Sequence, residues 1–190
     1  MFYFRIFLLF VVSAPLAAAP SFVQCYDFGC KSTQELHYSA DHWRQIRALF
    51  EPEKLDIEQE KQAIRRAVAL MERISGELSG THLDKGGNYP GYDLERQMDC
   101  IDESTNTFQY LLALEQSQLL RWHRVDLKQR RIVWFATHWT ATISEIHSNA
   151  RFAVDSWYRD NGELPYLQPL EDWKRKRSFP AAYNPELASN

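Results

Sequence analysis

The sequence predicts an α+β domain in which amino-terminal helices pack on an antiparallel β-sheet. Before residue 120, apolar side chains recur at helical spacing in two stretches, Trp43 to Phe50 and Ile64 to Ile74, and again from Phe108 to Leu114. Beyond Leu120 the period shortens into runs rich in β-branched and aromatic residues. These runs follow one another through short polar turns, with no helical stretch between them to build a parallel crossover. At 190 residues the chain holds one ordinary domain. Its 22 Lys+Arg against 25 Asp+Glu give a formal charge of −3, which argues against a dedicated nucleic-acid binder. With 45% hydrophobic and 25% charged residues, the composition excludes intrinsic disorder for most of the chain.

Taken in order, residues 1–19 read as a signal peptide. Arg5 and the amino terminus supply a small positive region, and Ile6 to Ala19 is an uncharged apolar run of about fourteen residues, shorter than a spanning helix requires. Ala17-Ala18-Ala19 closes it with small side chains, and an uncleaved anchor is the alternative. A mature chain of residues 20–190 is then expected in the periplasm or outside the cell, with no stable membrane span. Glu35 to Tyr38 can form a short strand, and Ser39 caps a first helix. A longer helix runs from about Asp56 to Leu78, its apolar stripe opposed by charges. Ser79 to Leu94 holds four glycines and Pro90, and is a long loop of the kind found beside functional sites. A third helix extends from about Cys100 to Leu120, and Trp122–Leu127, Ile132–Ile143 and Arg151–Tyr158 follow as strands, with turns expected around Gln129 and Ser148-Asn149. The Pro-rich tail from Asn161 is expected to wrap the surface.

An oxidising compartment makes the three cysteines informative. Cys25 and Cys30 enclose a four-residue loop and are expected to pair; a zinc site is the competing idea, but no second close Cys or His pair completes four ligands, so no metal and no cofactor are assigned. Cys100 is left over, either a buried small hydrophobe or a nucleophile. It stands where the Gly-rich loop meets the third helix. There, free N–H groups favour a thiolate and can hold an oxyanion, while Asp102 and Glu103 in the same turn oppose the thiolate, so a base is needed. His138 lies inside the apolar run Trp134 to Ile143, where a solvated histidine is out of place. Asp155 interrupts another apolar run one strand later, and a carboxylate buried in a sheet requires a partner. Direct pairing of the two would centre the hairpin near residues 146–147, with Ser148-Asn149 just beyond.

A cysteine opening a helix (Met98-Asp99-Cys100-Ile101-Asp102-Glu103), His-Trp in one strand (Thr137-His138-Trp139) and Asp with a tryptophan in the next (Val154-Asp155-Ser156-Trp157) resemble the transglutaminase-like branch of the papain-like cysteine enzymes. The resemblance covers about residues 89–173. It implies a papain-like core with the nucleophile at a helix amino terminus: Cys100 attacks, His138 is base and then acid, and Asp155 orients the imidazole. It further implies a peptide, protein or cell-wall peptide substrate. A glycine expected just before the cysteine is replaced by Gln97-Met98-Asp99, and no acidic calcium-binding cluster of the animal transglutaminase kind is present. Water and an amine therefore both stay open as acyl acceptor.

Each of the three also has a structural reading: a core thiol, a satisfied buried histidine, an edge-strand acid. Gln97 is a candidate oxyanion donor, and Asn106 and Tyr89 are candidate site walls. His37, His42, His82, His123 and His147 read as surface or capping residues, Trp134, Trp139 and Trp157 as packing, and Lys174 to Arg177 as a solvated basic patch. The chemistry expected is cleavage or transfer at a peptide or isopeptide amide. The alternative is a catalytically silent extracytoplasmic interaction module of the same fold.

Overall fold

In the computed structural model, which describes residues 20–50, 55–88, 95–133 and 136–176, the first element is one the sequence reading did not include. Strand β1 (Ser21–Tyr26) pairs antiparallel with β2 (Ser32–His37), and the intervening turn is closed by the expected Cys25–Cys30 disulfide. Asp27, Phe28, Gly29 and Cys30 all take positive φ there, a conformation that only Gly adopts freely. The disulfide and the Asp102 carboxylate, which accepts the Cys30 N–H, hold the three non-glycine residues in it. The expected signal peptide, Tyr89, Trp134 and the tail beyond residue 176 lie outside the described residues.

Three helices follow, each started by an N-capping side chain. Ser39 caps α1 (Ala40–Ala48), Asp56 caps α2 (Ile57–Ser79) and Asp99 caps α3 (Cys100–Gln116), each in a reciprocal box with the residue three positions on. Gly80, at φ +81°, stops α2 in the left-handed conformation that suits glycine. The apolar stripes of α1, α2 and α3 meet in one core with Phe22, Tyr38, Ala141, Ile143, Phe152, Val154 and Leu167. Among the described residues no helix is long and apolar enough to cross a membrane.

The second half of the chain is a four-stranded antiparallel meander in the order β3 (His123–Val133), β4 (Ala136–Glu145), β5 (Arg151–Asp155) and β6 (Tyr166–Pro169), followed by the short helix α4 (Leu170–Lys174). Two expectations are corrected here. Gln129 is not in a turn: it pairs with Thr140 inside β3, and the strand crosses this point through a bulge between Asp126 and Gln129. The polar run Asp126 to Arg131 looks turn-like because β3 is the edge of its sheet, where charged side chains face water and block further pairing. The tail is not merely a surface wrap either. It supplies β6 and α4, whose Trp173 is fully buried against Ala153 and Leu170.

Candidate active site

Cys100 occupies the first position of α3, and the cap of that helix decides which donors it leaves free. The Asp99 carboxylate accepts from Ile101 and Asp102 N–H, and the Asp99 carbonyl accepts from Glu103 N–H. The Cys100 N–H is not taken up by the capping group and is directed at the residue's own sulfur. The half-buried thiol donates to the Thr137 carbonyl at 3.6 Å and accepts from the Trp139 N–H, so the sulfur rests on strand backbone at both sides of His138. It can do so because β5 pairs with β4 only over Ala141–Ser144, leaving residues 137–139 without a β5 partner.

His138 is 4% exposed and Asp155 1% exposed. Their contact is not the direct cross-strand pairing the sequence reading centred on: Ala141 stands opposite Val154, which sets Asp155 opposite Thr140. His138 and Asp155 are therefore diagonal neighbours on one face, and the carboxylate reaches back along the sheet. His138 Nε2 and Asp155 Oδ2 lie 2.7 Å apart. With Asp155 ionised, Nε2 carries the proton it donates, which leaves Nδ1 as the basic nitrogen. Nδ1 is buried and has no hydrogen-bond partner among the described residues. The imidazole is clamped between aromatic rings, with centroids 4.8 Å away for Trp157, 5.1 Å for Tyr158 and 5.6 Å for Trp173. Trp173 has a second role, since its indole N–H donates to the same Asp155 oxygen at 2.7 Å. Arg131, directly across from His138, then ties the assembly together by donating to the Trp173 carbonyl and the Tyr158 hydroxyl.

The electrostatics around the thiol differ from a simple helix-tip expectation. Burial pushes the Cys100 pKa up, the Trp139 N–H pulls it down, and the carboxylates of Asp99 and Asp155 push it up again; the sum is upward. At neutral pH the resting sulfur is accordingly a thiol, and a base must take its proton as it attacks. Below the site lies a cluster of buried acids. Desolvation raises Asp84 and Glu72 to about 7 and Asp102 to about 6, and holds Glu103 well above the carboxylate range. Glu103, next but two to the thiol, is thereby biased by burial toward its neutral form.

The remaining candidates fall elsewhere. The Gln97 amide is engaged within the Gly-rich loop: Nε2 donates to the Leu83 carbonyl, while Oε1 accepts from Lys85 N–H and Asn88. Asn106 is buried and pins β1 to α3 by bonding both backbone groups of Cys25. The Gly-rich loop that Gln97 braces contributes indirectly. Gly86 lies so close to the backbone of Tyr158 and Arg159 that a Cβ would meet it at 2.6 Å, and Gly87 N–H donates to the Trp157 carbonyl. The loop thus fixes the Trp157-Tyr158 clamp on His138. Of the histidines read as surface residues, His42 does serve in the cap of α1, but His123 is buried and bonded to Glu60 at 2.9 Å. Trp173 was assigned no role from sequence; its only signal was a large indole just before a basic run. Comparison with protein-family models, curated proteins and solved structures returned no match.

Proposed function

We propose that this chain is an extracytoplasmic cysteine hydrolase or acyltransferase acting on peptide or isopeptide amide bonds through Cys100, His138 and Asp155. One observation carries the reading: Asp155 holds Nε2 of a buried imidazole, Nδ1 is left without a partner, and the half-buried thiol rests on the backbone that flanks that same histidine. The sequence resemblance to transglutaminase-like and papain-like enzymes supports it, as does the Cys25–Cys30 disulfide for the compartment.

The chemistry follows from the protonation states. As Sγ attacks the carbonyl carbon, Nδ1 accepts the thiol proton and a C–S bond forms. The Cys100 N–H is the donor positioned for the oxyanion. Collapse breaks the C–N bond, the amine leaves with the proton from Nδ1, and a thioester remains. Water or an acceptor amine, deprotonated by Nδ1, then releases the acyl group and Cys100 regains its proton. Asp155 stabilises the imidazolium in both halves and takes no proton itself.

The test is intact-mass analysis after acid quench of the unreduced protein incubated with p-nitrophenyl acetate. The proposal predicts one acetyl adduct in the wild type and none in Cys100→Ala. Absence of an adduct in the folded wild type overturns it and favours the silent interaction module.

A further inference from the structure

The bulge in β3 does more than interrupt a ladder. Leu127 and Lys128 together face the single residue Ala141, and the chain re-aims them: Leu127 is 73% exposed, whereas Lys128 is half-buried. Its ammonium bonds the Thr105 hydroxyl at 2.7 Å, one helical turn beyond Ile101 on α3. The Cys100 side chain is near enough for its negative form to favour the Lys128 ammonium. Two positions on, Arg130 stands directly across from Trp139, the residue whose N–H holds the sulfur. The Lys128 ammonium and Arg130 guanidinium lie 5.8 and 5.9 Å from the Trp139 ring centroid. Among the described residues neither cation forms a salt bridge, although the nearby sheet strands carry paired charges such as Arg151 with Asp126.

A half-buried ammonium whose hydrogen-bond partner among the described residues is a hydroxyl is an under-compensated charge, and the exposed Arg130 guanidinium beside it adds a second positive charge on the same side. The carboxylates facing the thiol, Asp99 and Asp155, are committed to the α3 cap and to His138 with Trp173. We propose that Lys128 and Arg130 form a cationic wall beside Cys100 that selects acyl donors carrying a carboxylate next to the scissile bond, that is, an acidic peptide or isopeptide. This deepens the reaction proposed for Cys100 and rests on it. The bulge sets the wall in place by turning Lys128 toward α3, Trp139 gives the donor an aromatic floor, and the carboxylate replaces the missing counter-charge.

Two measurements separate the wall from the reaction. The first compares alkylation of Cys100 by iodoacetate and iodoacetamide, near-isosteric reagents differing in charge, at low salt and against a small neutral thiol. The wall predicts an iodoacetate-to-iodoacetamide rate ratio about three- to tenfold above that of the reference thiol. The ratio falls to the reference in the Lys128→Gln/Arg130→Gln double variant, survives in Lys128→Arg, and declines in the wild type as KCl is raised, a reading that needs no variant. The second compares acylation by acetyl-glutamyl and acetyl-glutaminyl thiobenzyl esters, with the glutamyl ester preferred in the wild type and the preference lost in the double variant. A wild-type alkylation ratio equal to the reference, or an ester preference that the double variant retains, overturns the wall. Failure of both esters to acylate, with the alkylation ratio still elevated, overturns the reaction and leaves the cationic wall standing.

Discussion

Replacing Asp155 by Asn removes one charge and almost no volume from the centre of the site. The carboxylate is buried; its Oδ2 receives the His138 and Trp173 N–H groups, each at 2.7 Å, and its Oδ1 has no hydrogen-bond partner among the described residues. An asparagine that keeps its oxygen at the Oδ2 position retains both bonds as weaker neutral ones and places an NH2 where no acceptor stands, a penalty of about 1–3 kcal/mol in stability. If the amide rotates, its NH2 faces two donors and forces the imidazole to expose the wrong tautomer at Nδ1. In either rotamer the imidazolium loses its counter-charge. At an effective dielectric of about 20 and a charge separation of about 4 Å, that interaction is about 4 kcal/mol, an upper bound of about three decades in rate. Asp155→Asn is therefore expected to slow acetylation of Cys100 about 10²- to 10³-fold while remaining folded. Stopped-flow release of p-nitrophenol measures the rate, and thermal unfolding measures the stability. Acetylation within about threefold of wild type in a folded variant would refute the assigned role of the carboxylate.

Three further outcomes follow from the same contacts. Trp173→Phe keeps an aromatic ring, though a smaller one, and deletes the indole N–H that donates to Asp155, so acetylation should slow about three- to thirtyfold, measured in the same assay, and an unchanged rate would remove α4 from the site. Glu72 and Asp84 have folded-state pKa values of about 7, above their ordinary carboxylate values, so the folded protein retains protons that the unfolded chain releases. Their contribution to stability is then fully present below about pH 4 and is lost as pH rises through about 7, while Glu60, held low by its bonds to His123, Arg121 and Trp122, acts oppositely only at the acid end. The thermal midpoint should therefore fall between pH 5 and pH 8, and Glu72→Gln should flatten that slope; a midpoint rising over this interval would contradict it. Reduction of Cys25–Cys30, which closes a sequence separation of 5, should cost about 2 kcal/mol in denaturant unfolding, with a loss near zero showing that Asp102 alone secures the turn.

The fold class and the three helices were legible because each helix carries an apolar stripe; of the caps only Ser39 is read from the sequence, while Asp56 and Asp99 emerge as caps in the structure. The residues of the candidate triad were legible for a different reason: His138 and Asp155 are polar where their strands are otherwise apolar, and a chain does not bury such groups without pairing them. Their exact register was not, because a bulge, an offset hairpin and a diagonal contact depend on twist rather than on pattern. The bulge at Leu127-Lys128 passed for a turn because an edge strand and a turn share the same charged composition. Gln97 is a candidate through the papain-like resemblance and Asn106 by position, and the structure directs both amides into neighbouring backbone. Trp173 was hidden by distance along the chain, since nothing in a basic tail indicates that one indole reaches a carboxylate 18 residues earlier.

The central claim is that His138 activates Cys100. Intact-mass labelling of the unreduced protein with limiting iodoacetamide near pH 6, wild type beside His138→Ala, tests it directly. The account predicts a single rapid adduct on Cys100 in the wild type that slows at least tenfold in the variant, since burial pushes the thiol pKa up and the variant lacks the proposed base. Equal slow labelling of both proteins would contradict it and make Cys100 a structural thiol.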